Sequence, residues 1–74
     1  MTTHINTVNA QLRKLHPNLM LRGGGDYQYF TLRDGHVFET HSVMVYRVKY
    51  LTLEEWLTEA RWWLNDLKLR RVIS

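Results

Sequence analysis

His36, Glu39 and His41 bring three side chains able to ligate a metal into the run HVFETH, the most chemically suggestive stretch of this sequence. The helical zinc arrangement, however, needs its two histidines four residues apart on one face. These two stand five apart in a segment rich in strand-forming residues. On a strand, side chains separated by an odd number of positions point to opposite faces, so turn and surface histidines are expected rather than a metal site. Serine chemistry has less support, because Ser42 and Ser74 are the only serines and neither lies in a glycine-flanked elbow that would expose a nucleophile. Gly23-Gly24-Gly25 lacks the Lys-Ser/Thr sequel of a phosphate-binding loop and precedes a strand pattern, which suits a hairpin turn. Glu54 and Glu55 could make an acid–base pair, but Thr52 followed three residues later by Glu55 is the capping box of a helix start. The absence of cysteine excludes thiolate metal sites, disulfides and cysteine nucleophiles. The expectation is a non-enzyme with no cofactor and no metal.

The elements that carry these residues follow from periodicity. Ile5, Val8, Leu12 and Leu15 recur at spacings of three, four and three, the stripe of one helix face over Thr3 to Leu15. Thr2 or Thr3 would cap its start, and His16-Pro17 stops it because the residue before proline is pushed out of the α region. Two strands separated by the glycine turn should follow, the second over Tyr27 to Arg33 with Tyr27, Tyr29 and Thr31 alternating against Gln28, Phe30 and Leu32. Asp34-Gly35 predicts a type I′ hairpin leading to a strand that begins near His36. His36 to Tyr50 is too long for one simple strand, so a bend is expected around Thr40 to Ser42, with the strand pattern resuming from Val43. The capping box then opens a helix running to about Lys68 or Leu69. The fold class is α+β: one domain over residues 1–74 in the order α-β-β-β-α. Its antiparallel three-stranded sheet, or four-stranded if the chain pairs again after the bend, packs on two helices.

On the wheel of the last helix, Leu53, Trp56, Leu57, Ala60, Trp63, Leu64 and Leu67 share one sector that can cover a small sheet. Trp62 lies about 180° from Leu53, among Glu55, Glu59, Asp66 and Leu69. An outward tryptophan beside Leu69 is the mark of a partner-binding anchor, and those five residues are the candidate protein-binding site. The competing expectation is that Trp62 packs under the tail Val72-Ile73. Tyr27, Tyr29, Tyr46 and Tyr50 suit a sheet face and are expected to pack there. Exposed beside arginine, they could instead stack bases, so Arg22, Arg33, Arg47, Lys49, Lys68, Arg70 and Arg71 form an alternative nucleic-acid surface.

Composition bounds these readings. The formal charge of +3 permits nucleic-acid contact without demanding it. With 74 residues, a single core rarely contributes more than about 3–5 kcal/mol net, so self-association into a homodimer would help. Apolar runs such as Val43 to Tyr46 are far short of a membrane span, and MTTHINT has no leader pattern, so a soluble cytoplasmic protein is expected.

The element order resembles that of the double-stranded RNA-binding domain. That family starts its second helix with basic phosphate-binding residues, where this sequence has the acidic Thr52-Leu53-Glu54-Glu55. A second resemblance covers roughly Leu12 to Ala60. The aromatic strand YQYF, then Ser42-Val43-Met44-Val45-Tyr46-Arg47 leading into Leu51-Thr52-Leu53-Glu54-Glu55-Trp56-Leu57, is similar to short uncharacterised phage and prophage proteins. It implies a phage or mobile-element accessory protein of an infected or lysogenic bacterium. Such a protein would bind a host protein or complex stoichiometrically, as inhibitors of CRISPR-type defence do.

Overall fold

The apolar stripe of the N-terminal segment winds as α1 (Ile5–Leu15), the first element of a computed structural model that describes residues 3–73. Val8 and Leu12 are buried and Ile5 packs at the margin of the core. The N-cap is His4, which makes no side-chain capping bond, so the expected threonine cap is not formed by Thr3. Thr2 and Ser74 lie outside the described residues. His16 ends the helix in extended backbone, φ −158° and ψ 133°, as Pro17 behind it requires.

Three antiparallel strands follow in the order β1 (Leu19–Gly23), β2 (Gln28–Asp34) and β3 (Val37–Val43). Between β1 and β2, a Cβ on Gly24 would come within 2.9 Å of the Tyr27 ring, so a larger residue there would have to displace that ring. Asp34 pairs with Val37, leaving Gly35 and His36 as the two-residue loop. Of these only Gly35 has a positive φ, 64°, which is the type II′ pattern. The expected type I′ turn is thus corrected, because Asp34 stays in the ladder rather than entering the turn.

β3 runs unbroken through Thr40 to Ser42, and the expected bend there does not occur. The chain leaves the sheet after Val43 because β2 ends at Gln28, the ladder partner of Val43, and offers nothing further to pair with. No fourth strand forms among the described residues. The Val45 N–H turns back to the Val43 carbonyl (2.8 Å), and the Gln28 carboxamide donates to the Tyr46 carbonyl (3.1 Å). A single 3₁₀ turn, Val48–Tyr50, then leads into α2 (Leu53–Leu69).

Both bonds of the predicted capping box open α2: the Glu55 N–H donates to Thr52 Oγ1 (3.1 Å) and the Thr52 N–H to Glu55 Oε1 (2.9 Å). Its far end is a Schellman closure, with the Val72 N–H donating to the Leu67 carbonyl (2.9 Å) and the Arg71 N–H to that of Lys68 (3.0 Å). That closure requires the left-handed conformation at Arg71, φ 59°.

Leu19, Leu21, Phe30 and Leu32 face both helices and form the core with Val8, Leu12, Trp56, Leu57, Trp63 and Leu67. The Phe30 ring meets Trp56 edge-on (5.9 Å) and Trp63 face-on (6.0 Å). The indole N–H of fully buried Trp56 donates to the Val48 carbonyl (2.8 Å), so the 3₁₀ turn satisfies a polar atom the core cannot leave bare. The opposite sheet face is open: Arg22, Arg33, Phe38, Thr40 and Ser42 are all exposed on it.

Candidate functional site

The 3.6-residue repeat that buries Trp56 and Trp63 turns Trp62 outward, and it is 57% exposed. The tail does not cover it by being drawn over α2: Ile73 is buried in the core and Val72 packs against that core. Leu69, seven positions on and therefore about two turns along the same stripe, is 75% exposed. Glu55, Glu59 and Asp66 complete that stripe, so α2 brings together all five residues of the predicted protein-binding set.

The three carboxylates are already engaged. Glu55 accepts from the helix-capping Thr52 N–H. Glu59 Oε1 lies 2.9 Å from Nε2 of His41 on β3, accepting the ring N–H. Asp66 accepts from Arg70 Nε (3.0 Å) four residues along. What remains free on the stripe is apolar: Trp62 and Leu69.

His41, expected as a surface histidine, is instead half-buried in an aromatic stack. Its ring lies parallel to Phe30 (6.3 Å, 6°), against Trp63 (5.7 Å, 22°), and tilted onto Trp62 (5.7 Å, 49°). Phe30 and Trp63 hold it on the core side while Glu59 fixes its ring direction. Trp62 therefore rests against a constrained neighbour with most of its surface in solvent. An anchor of this kind loses less rotamer entropy on docking than a free side chain does. His36 lies in the β2–β3 loop and Glu39 on β3, and among the described residues no three His, Asp or Glu side chains gather as a metal set.

The predicted basic set is split among three places. Arg22 and Arg33 lie on the open sheet face, with the Arg33 guanidinium over the Phe38 ring (5.2 Å). Arg47 and Lys49 border the His4–Ile5 end of α1, and the Arg47 guanidinium lies over Tyr46 (5.3 Å). Lys68, Arg70 and Arg71 end α2, where Arg70 is held by Asp66. Sequence reasoning missed Arg13: it joins Arg22, Arg33 and Phe38 around an open hollow of about 270 Å³. Its only signal was a position late in α1 on the side of β1. The tyrosines also divide, because Tyr27 and Tyr29 are half-buried with rings 6.0 Å apart while Tyr46 and Tyr50 are exposed. The expectation that all four pack on the sheet is corrected, since the chain has left the sheet by Tyr46.

No described helix is long and apolar enough to cross a membrane. Comparison with known proteins places this chain in no family: no family model, no curated protein and no solved structure matches it.

Proposed function

We propose that this chain is a non-catalytic binding module that docks on a partner protein through the α2 stripe, with Trp62 and Leu69 as anchors. The observation that carries this is the tryptophan's combination of 57% exposure with a ring tilted onto His41 at 5.7 Å. Tryptophan is enriched at binding hot spots, and the hydrogen-bonded carboxylates around it form a polar rim. In the setting that the phage-protein resemblance implies, the partner is a host protein, with a CRISPR-type defence complex as the specific candidate.

The test is affinity capture of tagged wild type and Trp62→Ala from nuclease-treated host lysate, followed by a titration with the captured protein. Loss of a hot-spot tryptophan should weaken binding by about 2 kcal/mol or more, roughly thirtyfold. Equal affinity of the two proteins would move the site off this stripe.

A second reading has one observation in its favour. Arg13, Arg22 and Arg33 share a hollow with Phe38, and the strand residues on that sheet face include no carboxylate. A surface of that kind can hold phosphates while an aromatic ring stacks a base, which is how single-stranded nucleic acid is bound without sequence preference.

A further inference from the structure

The sheet has two edges, and they are treated differently. At β1, the Asn9 carboxamide of α1 accepts from the Leu21 N–H (2.7 Å) and donates to the Leu21 carbonyl (3.2 Å), closing the edge as a neighbouring strand would. Because Leu21 points its backbone away from β2, its partner Phe30 must direct both of its backbone groups toward β3. In the alternating ladder, Val37, Glu39, His41 and Val43 then bond to β2, while Phe38, Thr40 and Ser42 turn their N–H and C=O groups outward. Among the described residues, no backbone group outside the ladder bonds to these three.

Edge strands are ordinarily blunted by lysine, proline, a bulge or a covering element. Over its seven residues β3 carries no lysine, proline or bulge, and its one carboxylate, Glu39, lies on the face toward the helices. Its sequence, Val-Phe-Glu-Thr-His-Ser-Val, is also matched to itself about Thr40. An antiparallel copy centred there sets Thr40 against the partner's Thr40, Glu39 against the partner's His41, and Val37 against the partner's Val43. Thr–Thr and apolar pairs directly across are favourable cross-strand combinations, and like charges never meet. The same register places the outward groups of Phe38, Thr40 and Ser42 against one another as hydrogen-bonded pairs.

We infer that β3 pairs with β3 of a second copy of this chain, centred on Thr40, to make a continuous six-stranded sheet. The two-fold axis stands perpendicular to the sheet, so both helical layers fall on one side. The inference does not rest on the α2 reading, because the Thr40 side chain lies on the sheet face away from that helix.

The chain has no cysteine, so a single introduced thiol reports the register. A hydrogen-bonded antiparallel pair separates its Cα atoms by about 5.5 Å, inside the disulfide range of about 4.4–6.8 Å. Thr40→Cys should therefore oxidise to a covalent dimer of twice 8.9 kDa. Ser42→Cys should not, because the two thiols would be four residues out of register, about 14 Å apart along the strand. In sedimentation equilibrium the wild type should show a concentration-dependent mass approaching the dimer. Thr40→Pro should raise its dissociation constant at least about tenfold, since the outward N–H it removes bonds to nothing within the chain. A wild type that stays at 8.9 kDa throughout, a dimer that survives Thr40→Pro, or equal cross-linking at positions 40 and 42 overturns the pairing. If Thr40→Pro does not fold, the two exposed cysteine variants decide alone. Capture through Trp62 is read on Trp62→Ala and the pairing on the position 40 and 42 variants, so the two proposals fail separately.

Discussion

Asn9 satisfies two backbone groups at once, and its partners determine what its loss means. With the carboxamide removed, the Leu21 N–H and carbonyl face a part-buried seam between α1 and β1 with no ladder partner. Asn9→Ala should lower unfolding stability by about 1–3 kcal/mol in urea titration, and Asn9→Leu should do no better, because the loss is polar rather than apolar. An unchanged midpoint would mean that water replaces the amide. Trp62 is the opposite case. Its indole is mostly solvated, so Trp62→Ala should change stability by less than about 1 kcal/mol while weakening partner binding roughly thirtyfold. The separation between a binding effect and a folding effect is what distinguishes an anchor from a core tryptophan such as Trp56.

At the scale of the element, α2 is well finished at its start and strained at its end. Thr52 and Glu55 satisfy each other's backbone donors, and Glu54 and Glu55 sit where the helix dipole favours carboxylates. At the other end the Schellman closure puts Arg71 at φ 59°, a position glycine ordinarily fills because a Cβ is unfavourable there. Arg71→Gly should therefore stabilise the protein by about 1 kcal/mol, raising the melting temperature by roughly 4–8 °C for a domain of this size. A decrease in melting temperature would mean that the arginine side chain contributes more than its backbone costs. β3 illustrates the reverse relation between element and residue: strand-forming residues continue past Val43, yet it ends where β2 ends.

Across the whole molecule, the carboxylates are concentrated on α2, where Arg61 and Lys68 accompany them. Glu54, Glu55, Glu59 and Asp66 all lie on α2, leaving three of the seven carboxylates for the rest of the chain. Arg13, Arg22 and Arg33 gather at the open sheet face. The two faces therefore suit different partners, and ionic strength separates them. If the sheet face binds single-stranded nucleic acid through these three arginines, the logarithm of the affinity should fall with that of salt concentration with a slope near about −2, and Arg33→Ala should reduce that slope by about 0.7. Binding of single-stranded oligonucleotide that is flat between low and physiological salt, or absent, would remove this reading. Docking through Trp62 and Leu69 should be far less sensitive, because its free contacts are apolar.

The α-β-β-β-α order, the buried face of α2, its capping box and the outward direction of Trp62 were all legible in the sequence. Each depends on local relations, the 3.6-residue period, the Thr52–Glu55 spacing and the strand alternation, that act within a few residues of chain. The end of β3 was not legible, since Val43 to Val48 is as rich in β-branched and aromatic residues as a strand and the length of β2 is what stops it. The engagement of His41 with Glu59 spans 18 residues, and that of Asn9 with Leu21 spans 12. Arg13 reaches Arg22 and Arg33 only because α1 lies along β1. Local sequence determined which face each element would bury. Which polar groups would meet across those faces was decided by packing, because hydrogen-bond partners distant in sequence become neighbours only when the layers close.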